Sequence, residues 1–69
     1  MVRQFLRDAR SERNLTMREA AELVGISPSH YSMIECGQRD PSGKVAIRLS
    51  TTFCVSVESF YPIVHSNGI

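Results

Sequence analysis

No apolar stretch in this sequence approaches the roughly 20 residues that a membrane span requires, so no membrane partner is expected. Cysteine is scarce. Cys36 and Cys54 stand alone without a CxxC spacing, which excludes a disulfide framework and a zinc site and leaves two reduced thiols. The four glycines are dispersed, so there is no phosphate-cradling loop. His30 and His65 sit in different contexts with no companion ligands, and neither a metal nor a cofactor is expected. The opening residues, Met1-Val2-Arg3-Gln4-Phe5-Leu6-Arg7-Asp8, are charged too early for a signal peptide. Without such a signal, the Asn14-Leu15-Thr16 match to the glycosylation pattern carries no weight, and the expected location is cytoplasmic. A surplus of one charge is missing too. The formal net charge is +1, so a polyanionic partner would have to be met by the placement of charges rather than by their sum.

What is present is an ordinary globular mixture, 42% hydrophobic and 22% charged, which excludes disorder. Its 69 residues suffice for one domain with a small core and a thin margin of stability. Repeats and low-complexity stretches are absent, and turn and capping residues divide the chain into short helical segments. Val2, Phe5, Leu6 and Ala9 recur at helical spacing and predict a first helix over about residues 2–13, broken by Asn14-Leu15. Thr16 and Glu19 form a T-x-x-E capping box that starts a second helix, with Met17, Ala20, Ala21 and Val24 on its apolar side. Gly25 ends it, where a left-handed residue is needed.

Ser27 then caps a third helix, and Pro28 takes the first helical position, where its missing N–H costs nothing. Ile26 and Tyr31 have the spacing of a hydrophobic staple, and Gly37 closes the segment. After the loop Gln38-Arg39-Asp40-Pro41, Ser42 caps a fourth helix with Val45, Ala46, Leu49 and Phe53 on one side. Residues 51–57 are β-prone in composition, but a short fifth helix containing Phe60 and Tyr61 and stopped by Pro62 is the stronger reading. The expected fold is therefore all-α, a compact five-helix bundle over residues 3–61 with a tail at 62–69.

Between Met17 and Cys36 lie two short helices and a tight turn. Helices crossing at a steep angle need a small residue at the contact, which Ala21 supplies, and a glycine at the turn, which Gly25 supplies. Tyr31 and Ile34 would seat the second of these helices on the first and leave its other face open. At these residues the chain resembles the Cro/CI-type (XRE-like) helix-turn-helix family. The run Leu15-Thr16-Met17-Arg18-Glu19-Ala20-Ala21-Glu22-Leu23-Val24-Gly25-Ile26-Ser27 looks like the family's LSQEELAEKLGVS. Tyr31-Ser32-Met33-Ile34-Glu35-Cys36-Gly37-Gln38-Arg39-Asp40-Pro41-Ser42 looks like ISRIERGKRNPS, and Val55 to Tyr61 looks like its closing VSLDELF.

The resemblance implies a transcriptional regulator, of phage- or bacterial-repressor type, that lays its third helix in the major groove of double-stranded DNA. By position, Ser27, Pro28, Ser29, His30 and Met33 would meet base edges. Ser29 and His30 can hydrogen-bond there, whereas Pro28 and Met33 offer apolar contact. The family often carries Gln, Arg or Asn at these places, and this chain does not. Phosphate contacts would come from the second helix's N-terminus at Met17 and Arg18, and from Gln38, Arg39 and Lys44. Met17 stands where the family usually has Gln and has no side-chain donor. The resemblance further implies a structural ion pair between Arg10 and Glu35. It also implies a homodimer reading two half-sites one helical turn apart, with Val57, Phe60, Tyr61, Ile63 and Val64 at the dimer surface.

Low net charge, Met17 and the apolar Pro28 and Met33 keep a second function open, a helix-turn-helix-fold protein-interaction module with weak or no DNA binding. An enzyme is not expected, and neither is a small-molecule ligand, because so small a helical chain has no obvious place for a substrate pocket.

Overall fold

The computed structural model describes residues 2–61, and its helix boundaries fall where the polar caps fall. Helix α1 spans Gln4–Glu12, α2 Met17–Val24, α3 Pro28–Glu35 and α4 Gly43–Phe53, followed by one 3₁₀ turn at Val57–Phe60. Among the described residues there is no strand and no helix long and apolar enough to cross a membrane.

The capping box opens α2 as its spacing requires. Thr16 Oγ1 accepts from the Glu19 N–H at 3.1 Å, and Glu19 Oε1 accepts from the Thr16 N–H at 2.9 Å. Ser27 Oγ accepts from the His30 N–H at 3.1 Å and Ser42 Oγ from the Val45 N–H at 3.4 Å, so α3 and α4 are each started by a serine. Such caps are each worth about 1 kcal/mol. Gly25 closes α2 with φ of 76°, a left-handed conformation that would strain any residue with a Cβ.

The chain departs from the sequence reading at both ends. Helix α1 starts at Gln4, and Val2 lies outside it and exposed rather than on its buried stripe. Arg3 holds the N-cap position without making a side-chain cap, because its guanidinium is engaged elsewhere. The fifth helix is only the single 3₁₀ turn, and Tyr61 is excluded from it, with φ −120° and ψ 117°. Tyr61 precedes a proline, and the residue before proline is driven from the α region toward extended backbone. Among the described residues the architecture is therefore four α-helices and a 3₁₀ turn, not five full helices.

Helix α3 packs on α2, α4 packs across α2 and α1, and the 3₁₀ turn closes against α4. Ala20, Ala21, Tyr31, Ile34, Ala46, Leu49 and Phe60 have no exposed surface. Alanines at 20, 21 and 46 let the helix backbones approach closely, and the larger side chains fill the space between them. Phe5 meets Phe60 edge to face, with ring centres 5.2 Å apart, and so ties the 3₁₀ turn to α1.

Candidate nucleic-acid interface

Helix α3 is two-sided along its length. Tyr31, Ile34 and Glu35 are buried, whereas Ser27, Pro28 and Ser29 at its leading end are exposed and His30 and Met33 are half-buried. Ser29 and Met33 are four residues apart and share one face. Ser32, three residues after Ser29, lies on that face as well and is half-buried; the family comparison of positions passes over it. The Ser27 oxygen is committed to the His30 N–H, and its own proton is still available to donate. The leading end of α3 thus presents hydroxyls, one imidazole and apolar carbon, with no lysine, arginine or carboxylate.

The loop after α3 folds back onto it. The N–H groups of Gln38 and Arg39 both donate to the Met33 carbonyl, at 2.9 and 3.3 Å, which brings two of the candidate phosphate contacts beside a candidate base contact. The side chains of Gln38, Arg39, Lys44 and Arg18 are all exposed. Lys44 sits in the first turn of α4. Met17 differs from these. Its side chain is half-buried against the core and has no polar donor, so a phosphate could be held there only by backbone N–H groups. The capping box uses the N–H groups of Thr16 and Glu19 and leaves those of Met17 and Arg18 without a partner inside the helix. The Glu19 carboxylate of that same box adds a negative charge at the spot.

One contact of this region has no precedent in the sequence reading. The Arg3 guanidinium, 11% exposed, donates through Nη1 to the carbonyls of Ile34 and Arg39, the latter at 2.9 Å. Through Nη2 it pairs with the Asp40 carboxylate and donates to the Phe60 carbonyl at 3.2 Å. Its backbone N–H donates to the Glu35 carbonyl at 2.8 Å. These partners are 31 to 57 residues away in sequence, beyond the reach of any spacing rule.

Behind α3, Arg10 and Glu35 meet. Arg10 Nε donates to Glu35 Oε1 and Nη2 to Oε2, both at 2.9 Å, and Nη1 reaches the Leu15 carbonyl at 2.8 Å. Arg7 adds a longer bond to Oε2 at 3.4 Å, a second cation that sequence did not identify. Burial pushes the Glu35 carboxyl up, but hydrogen bonds and charge from Arg10 more than offset it, so its pKa stands below the ordinary 4.5. The Tyr31 hydroxyl is buried close by without a partner of hydrogen-bonding geometry. Burial first, and the adjacent Glu35 carboxylate after it, hold its pKa well above 10.

The candidate dimer surface divides. Phe60 is wholly inside the chain's own core, so it is corrected to a core residue with no surface to offer a second copy. Val57 is half-buried against the same core, and Tyr61 is half-buried with its hydroxyl donating to the Pro41 carbonyl at 2.9 Å. Ile63 and Val64 lie outside the described residues.

A glycine-turned pair of helices, the second with an open leading end, is a helix-turn-helix. A helix-turn-helix family model matches residues 6–60. An uncharacterized HTH-type transcriptional regulator of Mycobacterium tuberculosis is 35% identical over 57 residues, covering 83% of this chain and 41% of the relative. One from Methanocaldococcus jannaschii is 32% identical over 60 residues, covering 87% of this chain and 91% of the relative. A third, from Bacillus subtilis, is 31% identical over 58 residues, covering 84% of this chain and 50% of the relative. The chain therefore belongs to the XRE-type helix-turn-helix family. It spans less than half the length of the mycobacterial relative and half that of the Bacillus one. No solved structure matches it.

Proposed function

We propose that this chain is a sequence-reading, DNA-binding transcriptional regulator of repressor type, acting in the cytoplasm as a homodimer and not as an enzyme. The observation that carries the reading is the asymmetry of α3, whose leading residues Ser27, Pro28 and Ser29 are exposed while Tyr31, Ile34 and Glu35 anchor it from behind. A helix held in that way can enter a major groove N-terminus first. The exposed Arg18, Gln38, Arg39 and Lys44 would supply donors for phosphates.

The α3 face has no Gln, Asn or Arg, so it lacks the side chains that pair bidentately with a purine. Base reading would rest on single hydrogen bonds from Ser29 and His30, and on contact of Pro28 and Met33 with thymine methyls. Dimer contact would come from Val57, Tyr61, Ile63 and Val64, with two weak half-sites read together.

Selection from a pool of random duplexes, followed by a salt titration of the winner, tests this. A regulator enriches a motif with two related halves and loses affinity steeply as salt rises. The competing reading, a protein-interaction module, is favoured by the half-buried Met17 and the uncharged α3 face. It predicts no enrichment and no duplex binding even at low salt.

A further inference from the structure

We propose that Arg3 is a positioning residue for DNA binding, acting through Arg39. This rests on the DNA-binding reading given above. The planar guanidinium of Arg3 spans the end of α3, the following loop and the 3₁₀ turn, holding the carbonyls of Ile34, Arg39 and Phe60 and the carboxylate of Asp40. Drawing the Arg39 carbonyl inward fixes that residue's backbone while its side chain stays in solvent. The Met33 carbonyl accepts from the Arg39 N–H, so the residue is anchored through both of its backbone polar groups and has little freedom left between them.

The second effect is on charge. Asp40 is the neighbour of Arg39, and its side chain is 61% exposed. An unpaired carboxylate there would repel phosphate beside the very cation that should bind it. Arg3 neutralises it with a guanidinium that is itself mostly buried. In a chain of net charge +1 with few exposed cations on this face, one uncompensated carboxylate removes a large share of the attraction. Lysine could replace the charge but not the span, because an ammonium is a compact point with no fork.

The test uses the full chain, its variants Arg3→Met, Arg3→Lys and Arg39→Ala, and the double variant R3M/R39A. Each is titrated with a fluorescent mixed-sequence duplex over a range of salt, and its folding is followed by circular dichroism. In the folded proteins, R3M and R3K should each weaken duplex binding several-fold and lower the salt slope by about one, as R39A does. The loss from R3M should be smaller in the R39A background than in the unaltered chain, because the share that passes through Arg39 is already gone and only the uncovered Asp40 charge remains. The proposal is overturned if R3M lowers the melting temperature but leaves affinity and slope unchanged, since Arg3 is then structural only. It is equally overturned if R3K binds like the unaltered chain, or if the effects of R3M and R39A multiply. If R3M fails to fold, R3K and its double with R39A carry the same comparison; failure of both to fold makes Arg3 a folding residue and overturns the proposal. Absence of duplex binding by the unaltered chain overturns the DNA-binding reading itself, and the role of Arg3 with it.

Discussion

Arg10 grips Glu35 with one edge of its guanidinium, Nε and Nη2 making two bonds of 2.9 Å to the two carboxylate oxygens, at a site where Glu35 has no exposed surface. A charge so enclosed is compensated only while both partners are present. Glu35→Gln leaves Arg10, itself mostly buried, with half a partner. The expected cost is about 3–5 kcal/mol. Domains of this size have roughly 5 kcal/mol in total, so the variant should be largely unfolded at 37 °C. Replacing both residues by Leu and Met should recover most of that loss. Urea denaturation of the three proteins checks both statements.

The same carboxylate sets the response to acid. Its folded pKa lies below the ordinary 4.5, so the folded chain resists protonation that the unfolded chain accepts. Stability from this group is therefore complete above pH 4.5 and declines as pH falls through the folded value. A thermal melt at successive pH values should show the melting temperature dropping below that point. In the Leu/Met double replacement this component of the decline should be gone; an unchanged profile would assign it to other carboxylates.

Tyr31 predicts the opposite of what its burial first implies. Its hydroxyl is enclosed and unpaired, so Tyr31→Phe removes an unsatisfied polar group and no hydrogen bond of good geometry. The expected change lies within about 0.5 kcal/mol of zero. A loss of more than about 1.5 kcal/mol on denaturation would mean that the hydroxyl bonds to Glu35 after all.

Two left-handed residues should respond in opposite directions. Gly25→Ala places a Cβ at φ 76° and 3.1 Å from Arg48 Nη1, with an expected loss of about 1–2 kcal/mol. Cys54 ends α4 at φ 55°, exposed and bearing a side chain in a conformation that favours glycine. Cys54→Gly should gain about 0.5–1 kcal/mol, less than the strain relieved because glycine also loosens the unfolded chain. Melting temperatures of the two variants decide the matter.

At the candidate interface, reading and holding are separable. Lys44→Ala should weaken binding equally for every duplex and lower the salt slope by about one. Ser29→Ala should leave the slope alone and relax preference at one base pair of each half-site. Competition titrations with single-base variants of the selected duplex distinguish these patterns.

The parts of this fold legible in the sequence are those governed by neighbours along the chain. Thr16 with Glu19, Ser27 with Pro28, and Gly25 each state their local geometry through chemistry within four residues. Helical spacing likewise marked Leu6, Ala9, Val45, Leu49 and Phe53 as inward-facing, and all are buried. Arg3 and Arg7 were not legible, because an arginine near a chain start looks the same whether it is solvated or clamped. Phe60 was ambiguous for a related reason. An apolar residue in a final short turn suits a core or a contact equally well, and its complete burial, edge-on to Phe5, decides it. The length of the last helix was misjudged because four residues are too few for periodicity to separate an α-turn from a 3₁₀ turn.

The buried carboxylate also works as a latch on sliding. Methyl groups tolerate a helix shifted along its axis by an ångström or two, since one greasy contact replaces another. A forked pair of charge-assisted bonds does not, and Arg10 is simultaneously tethered to the Leu15 carbonyl at the end of its own turn. The N-terminal helix therefore has one permitted register against the helix it supports, and the outward face of that helix inherits a fixed pitch.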